Sequence, residues 1–493
     1  MNNKITNYEG EPLIQGKWTT VVSTFFGGKA ENELDKQGPL ISVGREPPQN
    51  VTDNPLYTDK PVVLRYSKRT VKYSDVSDYF PDPWLTHISL PASDEVCTWK
   101  EDYPSMMDGI PSEIDVLLIE DYNTTGLVGD VTQCMPKYIG DNKYTKATLD
   151  NTYFWFLRSL SKSTDKPGRG GSWGLGKLAI PMASSARTFF TVTSRNETKD
   201  RFLSGQAILT LRNRFDTQYD PNMYFGTGEF YDEGKEHQWI PISDSDYIDN
   251  FCSDFGVSRN LEDSGTSFVI PFPVISDNDF NIGNLLICTV ANYCIPILEN
   301  KLVLEFSLSP DEEPIKVDSQ KLIQLIEGKT GGFEVPWSKI RKTMNDGRNP
   351  NPAHTSPEIL KELIRLNSDL NNPKYSIHLN APKSGGKPNT TEQFSGIFPD
   401  KDSEELEKLK IAFNANESIV VTGDLRVNHK NKDEEMGNYS FVIRKSDDLE
   451  SAEAHFYRDQ ISLPLVGDKK PIMPGISSLM RVEGLDNPLA EML

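Results

Sequence analysis

Residues 45–53 read Arg-Glu-Pro-Pro-Gln-Asn-Val-Thr-Asp, and their spacing decides how the rest of the chain is interpreted. Glu46, Asn50 and Asp53 recur at i, i+4 and i+7, which places the three side chains along one face of a helix. The amide oxygen of Asn50 suits Mg²⁺, which prefers hard oxygen ligands, and the Glu46 carboxylate can accept a proton from an attacking water. A solvated polar helix face is the alternative interpretation of this pattern.

A second polar segment, residues 119–127, follows an apolar run and reads Ile-Glu-Asp-Tyr-Asn-Thr-Thr-Gly-Leu. The run predicts a strand that ends near Asp121, whose carboxylate can accept a hydrogen bond from an exocyclic amino group such as that of adenine. Gly126 allows the backbone to approach a flat ring closely. An Asx-type turn that closes a strand is the alternative.

Residues 168–177 form a glycine-rich segment, Gly-Arg-Gly-Gly-Ser-Trp-Gly-Leu-Gly-Lys. Such a chain can offer several backbone N–H groups to phosphate oxygens, particularly if residues 177–186 form a helix after it. Residues 171–177 have the spacing of a P-loop, but Leu178 stands where that motif needs a Mg²⁺-binding hydroxyl. The Rossmann pattern fails because Trp173 replaces its third glycine. A flexible linker is a poor alternative, since large apolar residues are unusual in linkers.

A fourth segment, residues 263–270, reads Asp-Ser-Gly-Thr-Ser-Phe-Val-Ile. Its Gly-Thr pair opens a predicted strand and can place the hydroxyl of Thr266 near a base or a carboxylate. An ordinary strand start explains the same residues.

In this order, the four segments resemble the motifs of the GHKL (Bergerat-fold) ATPases, a family that includes gyrase B, histidine kinases, MutL, the large heat-shock chaperones and MORC proteins. The resemblance covers roughly residues 10–275. It looks nearest to the MutL, MORC and chaperone branch, and to stand-alone bacterial GHKL proteins of restriction or anti-phage operons.

The resemblance implies a role for each candidate residue. Glu46 is the general base, Asn50 is the Mg²⁺ ligand, and Asp121 contacts the adenine amino group. Thr266 supports Asp121 through its hydroxyl or a water. The other ATP-binding residues that the resemblance implies are Asp53, Gly126, Gly168, Gly170, Gly171, Gly174, Gly176 and Lys177.

Three features depart from the family pattern. Pro47 and Pro48 directly follow Glu46, and because proline disrupts a helix interior they predict that the helix starts or kinks there. The adenine turn reads Asp-Tyr-Asn-Thr-Thr-Gly instead of Asp-x-Gly-x-Gly. The glycine-rich segment also carries an arginine and a tryptophan.

The predicted fold class is α+β, in three parts. The resemblance implies a Bergerat-type α/β sandwich over residues 1–275, with a mixed sheet covered by helices. Residues 276–380 are predicted as a transducer-like α/β domain, and residues 381–493 as a β-rich region of unknown role.

Two helices are predicted from capping signals elsewhere in the chain. Residues 150–161 are predicted as a buried helix, with Asp150 or Asn151 as its cap. Ser356 as a cap, with Pro357 at the first helical position, predicts another helix start.

Composition limits the function classes. The 493 residues include 52 basic and 72 acidic side chains, a formal net charge of −20. This balance argues against sequence-blind nucleic-acid binding, which needs a basic surface, although a local basic groove for DNA stays open. No apolar run of about 18 residues and no signal-peptide pattern occur, so we expect a cytoplasmic protein without a membrane span. Five scattered cysteines without a CxxC pair argue against a disulfide framework or a zinc ribbon.

An ATP–Mg²⁺-dependent conformational switch with slow hydrolysis is the function that the resemblance implies. It would control a homodimer or a partner protein, such as a nuclease or helicase of the same bacterial defence or DNA-transaction system. A nucleotide-binding scaffold without turnover is the alternative. A histidine kinase is not favoured, because no histidine precedes His87. A nuclease within this chain is not favoured either, because its C-terminal acidic pairs are typical of solvated surface.

Overall fold

The computed structural model divides the chain into two compact units. Unit 1 comprises Met1–Thr164, Gly171–Leu286 and Lys301–Val317, and unit 2 comprises Asp165–Gly170, Ile287–Asn300 and Asp318–Leu493. The residues that the structure describes are 15–20, 39–88, 110–133, 137–139, 143–159, 176–208, 212–214, 217–219, 222–227, 229–230, 238–260, 262–274, 282–307, 313–328, 356–379, 403–427, 435–446, 453–458, 461–463 and 476–482.

Among the described residues of unit 1, nine strands form one mixed sheet. In chain order they are β1 (Lys17–Thr20), β2 (Val62–Lys72), β3 (Glu113–Tyr122), β4 (Thr188–Ser194), β5 (Arg201–Ile208), β6 (Asn222–Gly226), β7 (Gly265–Pro271), β8 (Leu302–Ser307) and β9 (Ile315–Val317). Their order across the sheet is β1-β6-β5-β4-β7-β3-β2-β8-β9. Only β2 and β8 pair in parallel among these neighbours. Three short strand pairs complete the described strands of this unit: Tyr138–Ile139 with Lys143–Tyr144, Arg212–Arg214 with Thr217–Tyr219, and Glu229–Phe230 with Gln238–Trp239.

The described helices lie before, between and after the strands of this sheet in chain order. They are α1 (Pro39–Thr52), α2 (Tyr73–Val76), α3 (Trp84–Ile88), α4 (Lys146–Asp150), α5 (Ala179–Met182), α6 (Ser245–Phe255), α7 (Ile282–Leu298), α8 (Ser319–Ile326), α9 (Pro357–Asn371) and α10 (Glu404–Asn414). The described residues also include two 3₁₀ turns, Ser77–Tyr79 and Gly176–Leu178, and a π-helical turn, Phe154–Arg158.

Strand β3 lies between β7 and β2, and both of its faces are buried. Its even-numbered apolar residues, such as Val116 and Leu118, join an aromatic core with side chains of α3 and α6. In that core Phe190 of β4 lies 5.2 Å from Phe251 of α6, edge to face. Because apolar side chains cover both faces of β3, its end is held firmly.

Helix α1 corrects the prediction made from its prolines. The helix begins at Pro39, about two turns before Glu46, and continues through Pro47 and Pro48 to Thr52. The helix therefore does not start at Glu46, and the alternative of a kink at the prolines stays a prediction. Part of the physical reason lies outside the helix, where a tyrosine hydroxyl of β2 bonds a carbonyl of the proline-containing turn.

The segment after the glycine-rich stretch is also shorter than predicted. Instead of a helix over 177–186, the chain forms the 3₁₀ turn and the single-turn α5. Ser184 then donates from Oγ to the carbonyl of Pro271, and Ser185 donates its N–H to Phe272 O. These bonds to the end of β7 turn the chain away from the helix axis.

The capping predictions fare better. Asn151 Oδ1 accepts the N–H of Phe154 at 2.9 Å, which starts the π-helical turn within the predicted stretch. Ser356 accepts the N–H of Ile359 at 3.2 Å, with proline at the next position, so the predicted start of α9 is confirmed.

In unit 2 the described strands form a six-stranded sheet. They are β10 (Ser376–Leu379), β11 (Ile419–Val427), β12 (Glu435–Lys445), β13 (Glu453–Arg458), β14 (Ile461–Leu463) and β15 (Ile476–Val482), in the order β10-β11-β12-β15-β13-β14. A buried ion pair of 2.8 Å joins Glu362 of α9 to Arg444 of β12. Within the described residues, no helix is long and apolar enough to cross a bilayer.

The α+β class is confirmed by a large mixed sheet covered by helices and by a second, β-rich sheet. Strands β8 and β9 extend the first sheet beyond residue 275. The three-part domain division stays a prediction.

Candidate functional site

Asp121 ends β3 as a buried carboxylate, 6% exposed. Its Oδ1 accepts the backbone N–H of Thr266 at 3.0 Å and the hydroxyl of Thr124. Burial raises the pKa of the Asp121 carboxyl, while the nearby Arg259 guanidinium and these two donors act in the opposite direction. Within the described part of the chain, both hydrogen bonds to this carboxylate end on Oδ1.

The Gly-Thr pair at the start of β7 explains how Asp121 is held. Gly265 has φ +136°, and a Cβ built on it would lie 2.3 Å from the Asp121 carbonyl oxygen. Only glycine tolerates this approach, which brings the amide of Thr266 onto the carboxylate. Thr266 thus supports Asp121 through its amide, while its hydroxyl lies 3.4 Å from Thr193 Oγ1. Support from the hydroxyl or a water stays a prediction.

Arg259 is a site residue that the sequence analysis missed. This buried guanidinium donates from Nη2 to the backbone carbonyl of Asp121 and from Nε to Ser267 Oγ at 3.1 Å. It also lies 4.7 Å from the centre of the Tyr122 ring, within cation–π range. Arg259 therefore ties the end of β3 to the start of β7.

Glu120 continues this network on the other side of Asp121. Its buried carboxylate accepts the N–H of Ser258 at 3.1 Å, the hydroxyl of Ser258 at 2.9 Å and the hydroxyl of Ser267 at 3.2 Å. Residues 256–260 have the sequence pattern of an ordinary polar loop. This pattern does not indicate the contacts of Ser258 with Glu120.

Gly126 occupies a left-handed turn with φ +70°, and a Cβ there would lie 2.5 Å from the carbonyl oxygen of Ser194. The next residue, Leu127, donates its N–H to Thr193 Oγ1 at 2.8 Å. Since Thr193 Oγ1 also lies 3.4 Å from the Thr266 hydroxyl, this threonine joins the Gly126 turn to the Gly-Thr pair. The structure thus brings Asp121, Gly126 and Thr266 together.

The end of α1 is linked to the same turn. Leu56 donates its N–H to Asn123 O at 2.8 Å, and Asn54 donates from Nδ2 to Asn50 O at 2.7 Å. Asn54 O in turn accepts the N–H of Thr125 at 3.4 Å. The chain that carries Asn50 is therefore bonded to the turn that follows Asp121.

The three polar residues of α1 differ in their surroundings. Glu46 is partly buried, and burial raises the pKa of its carboxyl while Arg45 acts against that shift. Asn50 is exposed. Asp53 directly follows Thr52, the last residue of the helix, and its N–H still bonds the carbonyl oxygen of Gln49 at 3.1 Å, as in a helical turn. The shared face of the three side chains stays a prediction.

Lys177 lies in the 3₁₀ turn that begins at Gly176. Its Nζ donates to the carbonyl oxygen of Trp155 at 2.9 Å, and burial lowers its pKa to about 7. Its phosphate contact stays a prediction. The predicted glycines of the same segment that fall outside the described residues are Gly168, Gly170, Gly171 and Gly174.

A metal-binding cluster of three or more histidine, cysteine, aspartate or glutamate side chains is not found among the described residues. The metal role predicted for Asn50 depends on a different donor set, an amide oxygen beside bound phosphates. It stays a prediction.

No family model matches the chain, and no curated protein matches it. The chain is similar to the ATPase region of Saccharomyces cerevisiae topoisomerase II, at 9% identity over 90% of this chain and 73% of that one, with a TM-score of 0.31. The same region bound to ICRF-187 (dexrazoxane) gives 8% identity, the same coverage and a TM-score of 0.31. The 43K ATPase domain of Thermus thermophilus gyrase B, in complex with an aminocoumarin, gives 10% identity, coverages of 75% and 68%, and a TM-score of 0.24. Similarity this low does not establish a family.

Proposed function

We propose that this chain binds ATP with Mg²⁺ and hydrolyses it slowly, as a conformational switch of the GHKL type. The observation that carries this proposal is the hydrogen bonding of Asp121. Among the described residues, Thr266 and Thr124 both donate to Oδ1, and Oδ2 would then accept the hydrogen bond of an exocyclic amino group. A nearly buried carboxylate held in this way selects a donor such as the adenine amino group, because leaving it unpaired is costly.

The surroundings of α1 support the catalytic part of the proposal. Burial raises the pKa of the Glu46 carboxyl above its ordinary value, which makes its carboxylate a stronger base for the attacking water. The exposed amide of Asn50 is a suitable oxygen ligand for Mg²⁺, and a bound Mg²⁺ would neutralise phosphate charge. Asp53, just beyond the helix, would contact the nucleotide from the same side.

The phosphates are assigned to the glycine-rich segment. Gly168, Gly170, Gly171, Gly174 and Gly176 would supply backbone N–H groups, and Gly126 would let the backbone approach the base. Lys177 would exchange the Trp155 carbonyl for a phosphate oxygen when nucleotide is bound. Because burial favours its neutral form, a nearby phosphate would restore its charge.

The biological role is proposed from the resemblance of the motifs. The switch would act in the cytoplasm on a homodimer or on a partner protein, such as a nuclease or helicase of a bacterial defence or DNA-transaction system. A nucleotide-binding scaffold without turnover is the second candidate, and the two prolines that follow Glu46 favour it.

Calorimetric titration of ATP–Mg²⁺ tests the proposal. Asp121→Asn keeps the shape of the side chain but presents a donor or a weaker acceptor to adenine, and we expect about 100-fold weaker binding. Asp115→Asn, a more exposed aspartate of the same strand, is the matched control and should bind like wild type. Equal affinities for Asp121→Asn and wild type, or no binding by wild type at millimolar ATP, would contradict the proposal.

Turnover separates the two candidates. Glu46→Gln should bind ATP as wild type does and lose most of the hydrolysis, because the amide cannot accept the proton from water. If wild type hydrolyses ATP no faster than Glu46→Gln, the chain is a scaffold.

A further inference from the structure

Pro47 removes one hydrogen bond from the interior of α1. A helical residue at this position would donate its N–H to the carbonyl oxygen of Val43, four residues earlier, and proline has no N–H to donate. Val43 is fully buried, so an unpaired carbonyl there would carry a desolvation penalty. This carbonyl is instead bonded by the Tyr66 hydroxyl, which donates to it at 3.0 Å.

Tyr66 is held in place by the sheet. Its ring is fully buried in β2 and stacks on Phe306 of β8, with centroids 5.1 Å apart and planes 11° apart. The two residues are direct partners in the parallel β2–β8 ladder. Because stacking and burial fix the ring, the position of the hydroxyl is set by the sheet and not by the helix.

The same strand also fixes the other half of the site. In the antiparallel β2–β3 ladder, Leu64 lies opposite Asp121 and Tyr66 lies opposite Ile119. Strand β2 thus bonds the turn of α1 that carries Glu46 and also pairs with the end of β3. In an ordinary helix the amide of residue 47 would already satisfy the Val43 carbonyl, whereas here the bond from the sheet takes its place.

We propose that Tyr66 is a positioning residue for the ATP site: its hydroxyl replaces the amide that Pro47 lacks and fixes the α1 turn with Glu46 and Asn50 relative to Asp121. The proposal rests on the function proposed above. It assigns no contact with ATP to Tyr66, which acts through the helix.

Removing the hydroxyl and restoring the amide test this directly. Tyr66→Phe keeps the ring and its stacking, and we expect ATP turnover to fall at least 10-fold while ATP–Mg²⁺ affinity changes less than 3-fold. Pro47→Ala returns an N–H to the Val43 carbonyl, so Tyr66→Phe/Pro47→Ala should recover most of the lost turnover and stability. Tyr153→Phe is the matched control, because Tyr153 is also buried and bonded, to Ser204 Oγ at 2.7 Å. Pro47→Ala should not rescue it.

Each of these results supports or contradicts the positioning role of Tyr66. Wild-type turnover by Tyr66→Phe would overturn the positioning role, and so would a loss of stability alone with kcat unchanged. In chemical unfolding, Tyr66→Phe should lower the free energy of unfolding more with proline than with alanine at position 47. An equal loss in the two backgrounds would show that the hydroxyl does not replace the amide. Failure of wild type to bind ATP would refute the proposed function and the positioning role together, while the unfolding cycle would still decide the hydrogen-bond replacement.

Discussion

Gly265→Ala adds a single methyl group at the point where β7 meets the end of β3. The new Cβ would lie 2.3 Å from the carbonyl oxygen of Asp121 and 2.5 Å from its Oδ1. The first of these atoms is backbone in a strand with buried neighbours on both faces, so it cannot move aside as a flexible side chain can. The substitution also places an L-residue at φ +136°.

The two penalties have separate magnitudes. A non-glycine residue in a sparsely populated backbone region costs about 1–3 kcal/mol, and an overpacked core contact costs about 1–3 kcal/mol more. We therefore expect Gly265→Ala to lower the free energy of unfolding by about 2–6 kcal/mol. Gly256→Ala separates the two, because Gly256 has φ +70° and a Cβ there meets only the side chain of Arg69, which can shift. Its expected cost is about 1–2 kcal/mol.

Denaturant unfolding monitored by far-UV circular dichroism measures both variants, and calorimetry measures their ATP affinity. Gly265→Ala should also weaken ATP binding, because relieving the clash moves the Asp121 carboxylate or the Thr266 amide. Gly256→Ala should leave the affinity unchanged. Equal destabilisation by the two substitutions would refute the close-approach argument, and an unchanged affinity for a folded Gly265→Ala would refute the role given to this junction.

Three further predictions concern buried charges. Burial lowers the pKa of Lys177 to about 7, against about 10.5 in the unfolded chain, so between these pH values the unfolded chain holds more protons and the free energy of unfolding rises with pH. Lys177→Met should remove this pH dependence and add stability on the order of a few kcal/mol below pH 7. Denaturant unfolding at pH 6 and pH 9 measures both effects. Arg259→Lys keeps the charge but loses the planar fork that spans the Asp121 carbonyl and Ser267, and should weaken ATP binding about 10-fold by calorimetry. Glu362→Gln leaves Arg444 without its buried counter-charge and should cost about 3–5 kcal/mol in denaturant unfolding of unit 2.

The elements that could be predicted are those whose cause lies within a few residues. The start of α9 follows from Ser356 and Pro357, and the strand that ends at Asp121 follows from its apolar run. Capping needs only a side-chain oxygen three residues from an amide, and burial of a strand needs only its own side chains. The sequence pattern contains both in full.

The parts that could not be predicted depend on partners far along the chain. Arg259 reaches the Asp121 carbonyl, and Ser258 reaches Glu120, and each pair is 138 positions apart in the chain. The loop that carries both residues resembles any polar connection. The amide of Thr266 was likewise unpredictable as the donor, because the choice between amide and hydroxyl is made by the φ of Gly265.

The start of α1 at Glu46, one of the two alternatives predicted from the prolines, was wrong for the same reason. A local rule excludes two prolines from a helix interior because they remove amides, and the rule is correct for an isolated helix. Here at least one of the freed carbonyls is bonded by Tyr66, a residue that no helix pattern includes. The prolines break the local rule, and a distant side chain compensates for them. The compensation adds a hydrogen bond between helix and sheet beside Glu46. Positions where the sequence breaks a local rule and a buried side chain supplies the missing hydrogen bond are therefore the first places to look for function in this chain.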